Sequence, residues 1–413
     1  MVEFNRFKLD NGLTVIHHLD ASTPIACMNI LYDVGARDEH PENTGFAHLF
    51  EHLMFGGSIN IENFDEPLQR VGGENNAFTN NDITNYYLTL PVENIETAFW
   101  LESDRMLSLA FSEKSLEVQR NVVIEEFKQR YLNQPYGDVW LLLRPLAYKV
   151  HPYQWNTIGK EIRHIEEATM DQVKSFFHTH YHPSNAILVV AGNISLDKVK
   201  DLSQKWFGPI PGRAKLKRQL PLEPKQNEAR VLDVQRKVPS DAIYCCWHMC
   251  SRLDKAYHNF DLLSDVLSNG HSSRLYQTLV KEKEIFSEIN AYVSGDNDPG
   301  LFVISGKPRN GISLELAEQH IMEEVEKIKT ILVDDRELQK LKNKAESVFI
   351  FSNMNVLNKA MNLAFFEWLG DANGLNVELE KYRNITAENL LETASQFLVD
   401  SNKSTLYYRA SND

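Results

Sequence analysis

Apolar residues along this 413-residue chain follow two periods, and each stretch of one period predicts an element. Phe46, Ala47, Phe50, Leu53 and Met54 recur at spacings of 3, 4 and 7, the signature of one helix face. Thr44 stands before them as an N-cap candidate, and Gly56-Gly57 follows as a stop. The stretch 112–130, SEKSLEVQRNVVIEEFKQR, opens on serine, is acidic early and basic late, and is predicted helical. Strand-like alternation surrounds Asp10-Asn11-Gly12 near the N-terminus. Asn76-Ala77-Phe78-Thr79, between the turn signals Gly72-Gly73 and Asn80-Asn81-Asp82, reads as a hairpin strand. IYCCWHM, between Pro239 and the Arg252-Leu253-Asp254 turn, reads as a buried strand whose neighbouring side chains face opposite sides.

Part of the pattern occurs twice. Thr169-Met170-Asp171-Gln172 opens a helix to Phe177, and the turn His182–Asn185 leads to a strand from Ala186 to Val190. Thr386-Ala387-Glu388-Asn389, a helix to Phe397, Ser401-Asn402 and a strand from Ser404 to Tyr408 repeat it at an offset of 217 residues. More loosely, Val238–Asp254 matches Thr23–Asp38, which sets His48–His52 against Asp261–Asp265. Between the copies, GPIPGRAKLKRQLPLEPKQN (208–227) has four prolines and a basic cluster, and reads as a linker with solvated charge. The chain therefore divides into 1–207, a linker over 208–227, and a second domain over 228–413.

The first helix carries the chemistry. His48-Leu49-Phe50-Glu51-His52 places two imidazoles at i and i+4, with a carboxylate on the same helical face. Two neutral imidazoles are half of a zinc site, and an unligated glutamate beside them is a general base for an activated water. A core helix with merely hydrogen-bonded histidines is the competing reading. A third ligand is available in Glu125-Glu126, flanked by Val122, Val123, Ile124 and Phe127; a carboxylate on so apolar a face needs a partner.

HLFEH, QRNVVIEE and GGENNAFTNNDITNYYLTLP together resemble the pitrilysin, or inverzincin, family of zinc peptidases, and within it bacterial relatives of the mitochondrial processing peptidase. The likeness spans nearly the whole chain and is strongest over 44–57 and 72–130. It implies an α+β fold of two homologous domains, each a mostly antiparallel sheet packed with helices, forming half of a clam-shell. It implies one Zn2+ per chain held by His48, His52 and Glu126, with Glu51 as the base. Gln119 stands where the family has an outer-shell glutamate. Asn76, Ala77, Phe78 and Thr79 would form the edge that pairs with an extended substrate. The second domain would lack the zinc site. Where the family often carries an arginine and a tyrosine that hold the substrate carbonyl, this chain has Lys281 and Ser287, with Tyr292 close by. The expected function is a zinc-dependent endopeptidase acting on short or unfolded peptides inside a closed chamber. The rival is a catalytically weak, peptide-binding or structural paralogue. Two domains give half a chamber, so a homodimer, or a heterodimer with a related subunit, is expected.

Composition narrows the partners. With 43% hydrophobic and 24% charged residues, the chain has the make-up of a globular protein. A net charge of −14 argues against nucleic acid and anionic membranes. No apolar run reaches membrane-spanning length and the N-terminus has no signal-like apolar core, so the expectation is a cytoplasmic protein, a signal peptide already removed being the alternative. Cys245, Cys246 and Cys250 with His248, and the trio His178, His180 and His182, are read as strand core and surface residues rather than metal sites.

Overall fold

A computed structural model describes residues 1–411. The first sheet contains β1 (Asn5–Lys8), β2 (Thr14–Leu19), β3 (Ile25–Tyr32), β4 (Glu74–Thr79), β5 (Thr84–Pro91) and β6 (Ala186–Gly192), in the order β1-β2-β6-β3-β5-β4. The second contains β7 (Arg230–Arg236), β8 (Ala242–His248), β9 (Phe286–Val293), β10 (Leu301–Pro308) and β11 (Lys403–Ala410), in the order β7-β11-β8-β10-β9. One pair in each sheet, β2/β6 and β7/β11, is parallel; the others are antiparallel. Helices pack on both sheets, as the α+β expectation requires.

Without β1 the two sheets have the same strand order. β3 begins at Ile25 and β8 at Ala242, β5 at Thr84 and β10 at Leu301, β6 at Ala186 and β11 at Lys403, each pair at the offset seen in the sequence. The helices before β6 and β11 open with the same capping box, Thr169 with Gln172 and Thr386 with Asn389.

The compact units cross the linker. One comprises residues 1–129, 155–220 and 349–377, the other 130–154, 221–348 and 378–413. The helix Val356–Trp368, from the second half of the sequence, lays Val356, Ala360, Leu363 and Ala364 on Ile16, Cys27, Leu31 and Val189 of the first sheet. The helix Val139–Ala147, from the first half, lays Val139, Leu143 and Ala147 on Cys246, Leu301, Val303 and Leu406 of the second. With both faces covered, β3 and β8 read as near-continuous apolar runs. Cys245 and Cys246 fall in cores on opposite faces of β8.

Two surface expectations are corrected. His180 and His182 are buried; only His178 of that trio is exposed. His180 follows Val173 and Phe177 on the inward face of the helix Met170–His180, and burial pushes its imidazole down to about 4. The linker's charge is not simply solvated either. Arg218 pairs with Asp33 at 2.8 Å and with Asp38, and Lys215 reaches Asp33 at 2.6 Å, within the first unit.

In the second unit, Glu378 on the helix Gly374–Arg383 is buried beside His258 (2.8 Å), Lys381 (2.9 Å) and Arg252. Burial alone would raise its pKa, but these partners outweigh burial and hold the carboxyl at about 2, against 4.5 for an unperturbed glutamate. A depressed carboxylate pKa stabilises the fold above the unfolded value, and that stability is lost as pH falls toward the folded one. Of order 3 kcal/mol should therefore disappear between about pH 5 and pH 2. Urea titrations across that window should show a steeper loss for the wild type than for Glu378→Gln; parallel curves would exclude this group as a source of acid lability.

Candidate active site and metal centre

The helix Phe46–Leu53 buries Phe46, Ala47, Leu49, Phe50 and Leu53, and leaves His48, Glu51 and His52 half-buried on its remaining face. Phe50 anchors it, stacking on Phe176 at 5.0 Å and Tyr181 at 5.2 Å, while the buried Tyr86 hydroxyl donates to the Phe50 carbonyl at 3.3 Å. Burial raises the Tyr86 phenol well above its ordinary pKa, with smaller contributions that include the nearby Glu51 carboxylate, so Tyr86 acts here as a neutral donor.

Thr44 is not the cap of this helix. The N-cap is Gly45, at φ +91, where an added Cβ would lie 2.7 Å from the Ile158 carbonyl oxygen. Thr44 instead binds His164 Nδ1 at 2.8 Å and accepts the Lys160 amide at 2.8 Å. The capping acceptor is Glu39, which takes the amides of Gly45 and Ala47, each at 2.8 Å. Sequence reasoning missed Glu39 because it lies six residues before Gly45, outside any fixed capping spacing. Burial raises its carboxyl pKa, and the two amides pull the other way.

The second contributor is the helix Glu113–Phe127. Ser112 caps it by accepting the Ser115 amide, and Leu116, Val123, Ile124 and Phe127 form its buried side. Glu125 points outward, 60% exposed and paired with Lys128 at 2.8 Å. Glu126 points inward, 17% exposed, with Oε2 3.7 Å from His48 Nε2 and 3.5 Å from His52 Nε2. The two imidazole rings are edge-to-face, their centroids 4.8 Å apart. One donor atom from each of His48, His52 and Glu126 lies within 4.8 Å of the other two, the one such three-residue group among the described residues. Ligands at about 2.0–2.2 Å from a common tetrahedral centre would sit about 3.3–3.6 Å apart, so this donor set fits zinc.

Glu51 adjoins that group, and its Oε2 accepts the Thr79 hydroxyl at 2.6 Å. Thr79 ends β4, whose outer side has no strand partner among the described residues. Along β4, Asn76 and Phe78 are exposed, whereas Asn75, Ala77 and Thr79 are half-buried. Gln119 Nε2 lies 3.7 Å from where a Cβ on Gly56 would stand, at the turn that ends the histidine helix. The remaining candidates belong to the second unit. Lys281 is exposed on the short helical segment Tyr276–Glu282, and Ser287 on β9 donates to the Lys307 carbonyl at 3.0 Å. Tyr292, also on β9, sits edge-on to Trp140 at 6.4 Å.

The sequence matches two family models: insulinase (peptidase family M16) over residues 14–144, and the peptidase M16 inactive domain over 167–345. The zinc protease PqqE of Helicobacter pylori is 30% identical over 413 residues, covering 97% of this chain and 91% of that protein. The chain belongs to peptidase family M16. The crystal structure of a protease from Helicobacter pylori superposes on this M16 chain with a TM-score of 0.92, at 28% identity, covering 99% of this chain and 100% of that one. The beta subunit of the mitochondrial-processing peptidase of Saccharomyces cerevisiae is 30% identical over 207 residues, 49% of this chain and 44% of that subunit. His48, Glu51, His52 and Glu126 all fall within the M16 insulinase match, and Lys281 and Ser287 within the inactive-domain match.

Proposed function

We propose that this M16 chain is a zinc-dependent endopeptidase that hydrolyses short or unfolded peptides, with His48, His52 and Glu126 holding the metal and Glu51 serving as general base. The observation that carries the reading is the convergence of both imidazoles on Glu126 with Glu51 alongside. Bound zinc would supply Lewis acidity, lowering the pKa of a water and polarising a peptide carbonyl. The Glu51 carboxylate takes the proton of the attacking water and delivers it to the leaving amine nitrogen. The unpaired side of β4 accepts an extended peptide by main-chain hydrogen bonding, which gives affinity without demanding sequence. Residues 1–207 supply this machinery, and a second copy, or a related subunit, completes a chamber around the peptide. The yeast relative is itself named a subunit, which supports that pairing.

A pool of unstructured peptides, incubated with and without a strong chelator, tests the reading. Cleavage should stop with the chelator and return when zinc is added back. A second reading, a peptide-binding paralogue of weak activity, is favoured by one observation: Lys281 and Ser287 replace the arginine and tyrosine, and the Ser287 hydroxyl is engaged by Lys307. Binding of the same pool without turnover, by zinc-loaded protein, would select it.

A further inference from the structure

Thr79 stands among the residues expected to receive substrate, yet its side chain is committed elsewhere. Side chains alternate across a strand, so Thr79 and Ala77 share one face of β4 while Asn76 and Phe78 take the other. That face meets the helix Phe46–Leu53, and there the Thr79 hydroxyl donates to Glu51 Oε2 at 2.6 Å, a charge-assisted geometry. A carboxylate offers about four lone-pair sites, so this hydroxyl can orient the Glu51 carboxylate without by itself exhausting its capacity to accept a proton.

The donor itself is held firmly. Thr79 is the last residue of β4 and faces Thr84 across a tight turn. Within the turn, Asn80 Oδ1 accepts the amides of Asp82 and Ile83, both at 2.8 Å, and the Asn80 amide reaches the Ile83 carbonyl at 3.0 Å. The segment Gly35–Glu39 then ties the turn to the helix bearing Glu51. Ala36 and Arg37 donate their amides to the carbonyls of Asn80 and Asn81 at 3.1 and 2.8 Å, and the Arg37 guanidinium pairs with Asp82 at 2.8 Å. Two residues on, Glu39 caps the helix itself. Gly35 permits the approach: a Cβ there would lie 2.5 Å from the Asn81 carbonyl oxygen and the Asp82 nitrogen. One short segment thus holds the hydroxyl donor and the carboxylate acceptor in a common frame.

We propose that Thr79 is a positioning residue for Glu51: its hydroxyl sets the plane of the base, while its backbone belongs to the strand that receives the peptide. The base and the substrate register are then fixed by one element. This inference rests on the endopeptidase reading for its kinetics but not for its geometry.

The test compares Thr79→Val, which keeps shape and removes the donor, with Thr79→Ser, which keeps the donor. Thr79→Val should lose about 10–100-fold in kcat, the scale of a base misplaced by roughly an ångström, with KM and zinc content unchanged. Thr79→Ser should restore kcat to within a few-fold of wild type. If Thr79→Val does not fold, Thr79→Ala carries the same comparison. A rise in KM at constant kcat would make Thr79 a substrate contact and overturn the proposal, as would a Thr79→Val enzyme of wild-type kcat. A crystal structure of the zinc-loaded Thr79→Val protein without substrate supplies a readout independent of turnover. There the Glu51 carboxylate should leave its wild-type rotamer while the β4–β5 register is kept; an unmoved Glu51 refutes positioning. Should the wild type hydrolyse nothing, the endopeptidase reading falls, and the Glu51 rotamer still decides this one.

Discussion

Glu51→Gln should retain its zinc, fold normally, and lose about 10²–10⁴-fold in peptide turnover, the range expected when a positioned general base is removed. The substitution is close to isosteric. The amide oxygen still accepts from Thr79, so the Thr79–residue 51 contact and the half-buried setting of the side chain persist. What disappears is a group that can take a proton from water at neutral pH. Because His48, His52 and Glu126 are untouched, metal analysis should return the wild-type stoichiometry, and thermal melting should shift little. KM should change less than kcat, since β4 and its unpaired side are unaltered. Near-wild-type hydrolysis by a folded, zinc-loaded Glu51→Gln protein would remove Glu51 from the mechanism. A loss of turnover accompanied by loss of zinc would instead make it part of the metal's environment.

Local periodicity carried the sequence reading as far as local periodicity reaches. His48 and His52 share a helix face because of their spacing alone, and the surrounding Phe46, Phe50 and Leu53 pattern already says which face is buried. The duplication was legible in the 217-residue offset between the capping threonines, Thr169 and Thr386, whereas the shared strand order came from the structure. The choice between Glu125 and Glu126 needed the resemblance, because adjacent positions on a mostly polar helix differ by only about 100° of rotation. Three features depend on tertiary placement and leave no local signal. Nothing in the helices Val139–Ala147, which carries Pro145, and Val356–Trp368 says that each covers a sheet built from the other half of the sequence. Glu39 caps a helix across a loop rather than at a fixed spacing. The Thr79 hydroxyl finds Glu51 only once the β4–β5 turn is pinned to the segment ahead of the histidine helix.

The purified protein should contain about one zinc per chain, and four substitutions should rank by what they do to it. His48→Ala and Glu126→Gln should abolish stoichiometric binding, Gln119→Ala should weaken it modestly, and Glu125→Gln should leave it unchanged. Removing an outer-shell partner typically costs about 10–100-fold in metal affinity, so the loss of a ligand must exceed that. Gln119 lines the turn after the histidine helix and belongs to the milder class. Glu126→Gln removes the carboxylate on which both imidazoles converge, at 3.7 and 3.5 Å, and replaces a charged oxygen donor with a neutral one. Glu125 differs from its neighbour by one position and by everything that matters for coordination: it is 60% exposed and its charge is already met by Lys128. Elemental analysis after dialysis, followed by competition against a chelating dye, separates the three classes. If Glu125→Gln released the metal and Glu126→Gln kept it, the third ligand would be misassigned. If all four variants kept zinc, it would be bound elsewhere, and the convergence of His48, His52 and Glu126 would be a hydrogen-bonded cluster rather than a metal centre.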